Sequence, residues 1–142
     1  LLGDVTNDDT GDTSGRVSDE ALYILRQNQV AGEIATYWVP GFSTGALGVA
    51  FYSDFYPGVA RQNEGILIAY DVAPDILAHE LGHLLMRAGH RSFEYDSEGE
   101  EVPVPANNLM HGDNTARLRE DGQDLTEGQY DRMLSHGARY LS

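Results

Sequence analysis

Apolar residues along this chain fall into short blocks, divided by polar stretches rich in glycine, proline and acidic side chains. Residues 3–15, GDVTNDDTGDTSG, hold hardly any apolar side chain, so residues 1–17 read as an acidic tail or loop. A helix over 18–29 follows. Ser18 is its N-cap, Asp19 and Glu20 fill the first turn, Val17 is placed to staple onto Leu22, and Leu22, Ile24 and Leu25 supply the apolar side. Ile34 to Val39 is β-rich and stops at Pro40-Gly41, and Ala46 to Tyr52 reads as a second strand. Gly65 to Tyr70, GILIAY, is a nearly continuous apolar run, short enough to be a strand buried on both faces.

The next predicted helix begins at Pro74, a residue suited to the first helical position, with Asp71 or Ala73 near the cap. It runs to Ala88 and stops at Gly89, which tolerates the left-handed terminating conformation. Residues 91–107 are acidic and contain Pro103 and Pro105, so a long loop is expected there. Thr126 caps a last helix ending near 136. Gln129 completes its capping box, Tyr130, Met133 and Leu134 face inward, and Gly137 closes it. The expected fold is one α+β domain spanning 1–142: a small, twisted, mixed and mostly parallel sheet on two helices, then a loop-rich C-terminal half ending in a helix.

Chemistry enters with Ala78-His79-Glu80-Leu81-Gly82-His83-Leu84. Histidines at i and i+4 lie on one helix face, one turn apart, where two imidazoles can meet one ion at Zn–N distances of about 2.0–2.1 Å. With ~100° per residue and His79 at the origin, His83 falls at ~40° and Glu80 at ~100°. Leu77, Leu81, Leu84, Leu85 and Ala88 fall between ~140° and ~240°, opposite the pair. One side of the helix is thus free to line a cleft. Glu80, on its flank, is placed as a general base for water activated by the metal, and later as proton donor to a leaving amine. Two histidines leave the set one short, since catalytic zinc usually has three protein ligands and an open position. His90 is the first candidate if the chain turns sharply at Gly89. His111 and the carboxylates of Glu94, Asp96, Glu98, Glu100 and Glu101 compete, and His136 reads as a surface residue.

Length and charge then narrow the picture. At 142 residues and 41% hydrophobic, the chain can bury a core without disulfides, and it has no cysteine to form one or to make a thiolate site. With 9 basic against 23 acidic residues and a net charge of −14, no basic stripe for nucleic acid is present. An anionic membrane would be repelled, and no apolar run reaches the length of a bilayer span. A monomer is expected. The chain begins at Leu1 rather than Met and so reads as processed or excised; a secreted protein is expected, with no signal peptide visible in this chain.

The strand GILIAY, the helix HELGHLL, Gly89-His90 and then Asn107-Asn108-Leu109-Met110-His111-Gly112 together resemble the metzincin clan of zinc peptidases, particularly small matrixin-like and snapalysin-like bacterial enzymes. The resemblance implies a zinc endopeptidase acting on protein or peptide substrates, with Met110 in a tight turn beneath the metal. It also implies that the strand before the helix is a sheet edge, so that Gly65, Ile66, Leu67 and Ile68 would pair with an extended substrate. The family pattern is HExxHxxGxxH. Here Met86 stands where its glycine would be, Gly89 where its third histidine would be, and His90 arrives one residue late. Tyr95 and His111 could approach the cleft. Two other readings remain: a calcium loop using Asp8, Thr10, Asp12 and Asp19, and a catalytically inactive, peptidase-like interaction module that binds zinc or calcium.

Overall fold

Ser18 opens the first helix as its polar side chain requires: its Oγ accepts from the Ala21 N–H at 3.1 Å, satisfying a donor the helix cannot. Helix α1 then runs Asp19–Leu25, shorter than its pattern suggested, and turns out at Arg26. The computed structural model describes residues 17–27, 30, 32–42, 45–70, 72, 74–91, 93–105, 108–111 and 125–138. Asp71 and Ala73, the expected cap positions, lie outside these residues, as do the calcium-loop candidates Asp8, Thr10 and Asp12. Asp19 belongs to the first turn of α1.

Three strands form the main sheet: β1 (Ala35–Val39), β2 (Gly48–Phe51) and β3 (Gly65–Ala69). Their order is β1-β3-β2. β1 runs parallel to β3, with Tyr37 opposite Leu67, and β2 runs antiparallel to it, with Val49 opposite Leu67. The sheet is therefore mixed in equal parts rather than mostly parallel. β3 is the buried strand its apolar run foretold, with all five residues buried.

The alternation along β3 builds two cores, because successive side chains leave opposite faces. Leu67 and Ala69 point to the side of α1, joining Ala21, Ile24, Leu25 and Phe51. Ile66 and Ile68 point to the other side, joining Ile76 and Leu84 of the next helix. Complete burial of such a side chain contributes roughly 1.5–3 kcal/mol, so three consecutive residues fasten a helix to each face.

Helix α2 (Pro74–Met86) packs on β2 and β3. It stops before Gly89. Arg87 takes the left-handed position with φ 55°, and the Ala88 N–H returns to the His83 carbonyl at 3.3 Å. This bond from two residues past the helix to its last turn satisfies a terminal carbonyl, as a glycine stop would. A non-glycine residue there costs on the order of 1–2 kcal/mol, so something else must hold it. Glycine has the lower backbone cost, but Arg87 brings a side chain that the surroundings bind.

The expected loop of 91–107 instead contains a small hairpin, β4 (Phe93–Tyr95) and β5 (Glu101–Pro103), paired antiparallel. Asp96 closes it. Its Oδ1 accepts the N–H groups of Glu98 and Glu100, both at 2.9 Å, and Gly99 supplies φ 80°. Charged residues on both strands concealed the alternation. Helix α3 (Glu127–Gly137) has the expected capping box between Thr126 and Gln129 and packs on α2 and β4. Its facing differs from the expectation. Tyr130 and Leu134 are exposed, whereas Gln129 is buried and Met133 packs beneath α2 beside Met86 and Met110. No helix among the described residues is long and apolar enough to cross a membrane.

Candidate metal centre

One helical turn separates His79 from His83, and both rings are buried, at 3% and 8% exposure. The backbone sets each ring's tautomer. His79 Nδ1 lies 2.6 Å from the Leu109 carbonyl, and His83 Nδ1 lies 2.8 Å from the Ala88 carbonyl. A carbonyl only accepts, so each Nδ1 carries the proton and each Nε2 presents a lone pair. These two Nε2 atoms are 3.0 Å apart. His90 Nε2 stands 2.9 Å from the first and 3.1 Å from the second.

The three nitrogens thus form a nearly equilateral triangle, and these side chains are close enough to hold one metal ion. Sides of 2.9–3.1 Å put each nitrogen about 1.7 Å from the triangle's centre. That is inside the Zn–N length of about 2.0–2.1 Å, so a single ion can touch all three at once. The donor set is three imidazoles with no thiolate, a set that suits zinc, copper, nickel and iron.

The third position falls to His90 because the helix turns at Arg87 rather than at Gly89. Among the described residues His111 is not part of the triangle, and neither are Glu94, Asp96, Glu98, Glu100 or Glu101. Buried Glu94 is instead ion-paired with Arg132 of α3, and Asp96 is spent on the hairpin turn. His136 is half-buried, with Nδ1 3.0 Å from the Leu85 carbonyl, and so joins α3 to α2. Tyr95 lies against α3, where its backbone would meet any side chain at Gly128.

Met110 is buried and packs against Gly82 of α2. It reaches there because Gly82 has no side chain: a Cβ at that position would overlap Met110 Sδ. A glycine inside a helix costs about 1 kcal/mol relative to alanine. That cost is the signal in the sequence that Gly82 has a packing duty. The turn carrying Met110 is pinned from α3. Asn108 Oδ1 accepts from the Met110 N–H at 2.8 Å, and Asn108 Nδ2 donates to Gln129 Oε1 at 2.8 Å. That same oxygen caps α3 by accepting from the Thr126 N–H at 2.9 Å. Leu109, between Asn108 and Met110, then offers the carbonyl that orients His79. Gln129 was legible as a capping residue, but its hold on Asn108 was not, because the partners are far apart in sequence.

Glu80 is buried at 8% exposure and borders two adjoining cavities, of about 250 and 170 Å³. The larger has an aromatic wall of Tyr52, Phe55 and Tyr56 and reaches His83 and His90. The smaller reaches Ile76, His79 and His90. Both run along Ala46 and Gly48, so the cleft follows β2 across the imidazole triangle. Gly48 makes room for Glu80, since a Cβ there would come within 2.9 Å of Glu80 Cγ. Burial, reinforced by the Asp54 charge, pushes the Tyr52 phenol above its ordinary value and keeps it a proton donor in the cavity wall.

The substrate-pairing expectation for Gly65, Ile66, Leu67 and Ile68 is corrected here. β3 is hydrogen-bonded to β1 on one side and β2 on the other, so it has no free edge. The strand on the cleft is β2, which lies at the end of the sheet order. Comparison with family models, with curated proteins and with solved structures finds no match.

Proposed function

We propose that this protein is a zinc-dependent endopeptidase of metzincin type, with His79, His83 and His90 as metal ligands and Glu80 as general base. One observation carries the reading: three Nε2 atoms converge within 3.1 Å of one another beside a buried glutamate on an open cleft. A divalent ion bound there supplies Lewis-acid polarisation of a carbonyl and lowers the pKa of coordinated water to about 7. Glu80 takes a proton from the attacking water and returns it to the departing amine nitrogen. Its place on the flank of the histidine face, lining the same cavities as His79, His83 and His90, suits that exchange. An extended peptide pairs with the open side of β2, which takes the place first assigned to Gly65–Ile68, and the flanking cavities receive its side chains.

Two features support the metzincin form despite the late third histidine. Arg87 turns the chain three residues before His90, the same interval that separates glycine from the third histidine in HExxHxxGxxH. The Leu109–Met110 turn lies under the helix and touches the first ligand through a carbonyl. Both turn and histidine have moved along the chain by one residue, which leaves their mutual spacing intact.

Metal analysis and peptide release from casein test the proposal together. Purified protein should carry about one zinc per chain, and a chelator should abolish cleavage. Glu80→Gln should retain the ion and lose roughly 10²–10⁴-fold in rate. Bound metal with no cleavage of a broad peptide library would instead identify an inactive interaction module.

A further inference from the structure

The guanidinium of Arg87 is 3% exposed, deep for the longest cationic side chain, and it grips the connection between β2 and β3. Nη1 donates to Glu64 Oε1 at 3.1 Å, and Nη2 donates to Glu64 Oε2, to Asp54 Oδ1 at 2.9 Å and to Ser53 Oγ at 3.3 Å. The guanidinium carbon also sits 5.8 Å from the centre of the Tyr52 ring. Glu64 is itself fixed by the Ser53 N–H at 2.7 Å. Arg87 is meanwhile the residue with φ 55°, in a conformation L side chains rarely adopt.

We infer that Arg87 is a positioning residue for the metal centre: its buried ion pairs lock the left-handed turn that carries His90 onto His79 and His83. The inference rests on the metal-centre reading. The turn has two products. The next residue, Ala88, offers the carbonyl that holds His83 Nδ1, and His90, an exposed residue, arrives three positions on. Without an anchor, a non-glycine backbone here would relax toward negative φ and swing both groups away. The bidentate grip on Glu64 fastens the turn to the sheet that also carries the cleft. A glycine at this position would satisfy the backbone but leave the turn untethered.

Cobalt(II) titration of the metal-free full chain tests this, with d–d absorption as the signature of ligand number. Arg87→Ala should weaken cobalt binding about ten-fold or more, the loss usual for groups that orient ligands. Its spectrum should shift toward that of His90→Ala. Arg87→Gly should fall between wild type and Arg87→Ala. In the His90→Ala background, adding Arg87→Ala should cost a clearly smaller factor than in the wild type, because one of the two groups the turn delivers is already gone and only the Ala88 hold on His83 is left to lose. Equal fractional losses in both backgrounds would reduce Arg87 to a general stabiliser and overturn the inference, as would a wild-type affinity and spectrum in Arg87→Ala. Should Arg87→Ala fail to fold by circular dichroism, Asp54→Asn removes one exposed partner of the guanidinium. A two- to three-fold loss, larger when His90 is present than when it is absent, is then expected, and no loss sinks the idea. A wild-type chain that binds no cobalt removes the metal reading itself. A wild type that binds, matched by its Arg87 variant, removes only this inference.

Discussion

Helix α2 and the turn that follows it furnish the same triangle of nitrogens by opposite means. Between His79 and His83 the backbone is regular helix, and 3.6-residue periodicity puts the two rings on one face, where the Leu109 and Ala88 carbonyls orient them. Between His83 and His90 the chain leaves the helix through a strained residue, Arg87, and its buried ion pair with Glu64, on the connection between β2 and β3, holds it there. The first placement is local, and only the orientation of its rings draws on packing. The second depends on the finished fold, since Glu64 meets Arg87 only after β3 and α2 have docked. A metal held by this triangle would take two ligands from local helix geometry and a third from tertiary structure.

The contrast is sharpest in metal affinity. Replacing His79 or His83 with alanine should weaken zinc by more than the 10–100-fold typical of losing a supporting group, and should empty the site at micromolar metal. His90→Ala should leave a measurable two-imidazole site, because the helical pair stays in register. Isothermal titration of the three variants checks this. Equal losses at all three positions would break the distinction between the pair and the third ligand.

A smaller effect separates the helix's packing from its propensity. Gly82→Ala should raise helix propensity by about 1 kcal/mol, yet its Cβ meets Met110 Sδ. Overpacking of this kind typically costs about 1–3 kcal/mol. A net loss is therefore expected in urea unfolding of the metal-free protein. A net gain would mean that the Met110 turn is free to move away, and that its hold on His79 is loose. Asn108→Ala cuts the same turn loose from α3 and leaves the Met110 N–H without its carboxamide partner, at a cost of about 1–3 kcal/mol.

The smallest expected effect concerns the anchor of the turn. Burial alone would raise the Glu64 carboxyl, but hydrogen bonds from Arg87 and the Ser53 N–H outweigh it and hold the group below its ordinary value of 4.5. The hydrogen bond from Arg87 likewise lowers Asp54. A depressed folded value means that the unfolded state binds the proton first as pH falls. The stabilisation is therefore complete above pH 4.5 and disappears as pH drops through the lower folded value. Stability of the metal-free protein should decline across that acid window, and Glu64→Gln should flatten the decline. Chemical denaturation at pH 6 and at pH 3.5 compares the two slopes. Parallel slopes would show that this carboxylate does not anchor the turn.

The elements most legible in the residues were those whose cause is local. Ser18 and Thr126 capped their helices as their side chains require, and Gly65–Ala69 was a doubly buried strand because five residues in a row had nothing polar to expose. The hairpin at 93–103 was hidden by its charges, since Glu94 reads as solvent-facing until Arg132 is seen beside it. Tyr130 and Leu134 looked like core by type, yet α3 turns Gln129 and Met133 inward instead.

Amino-acid order by itself was enough to place His79, Glu80 and His83 on one helical turn and to name His90 as the candidate that completes them. The folded chain alone revealed that the turn falls at Arg87, that β2 rather than β3 borders the cleft, and that Asn108 and Gln129 orient His79 through Leu109. The physical reason is range. Helix periodicity and capping act over four residues, whereas an ion pair 23 residues long, or a carbonyl contact 30 residues long, exists only once packing has brought its ends together.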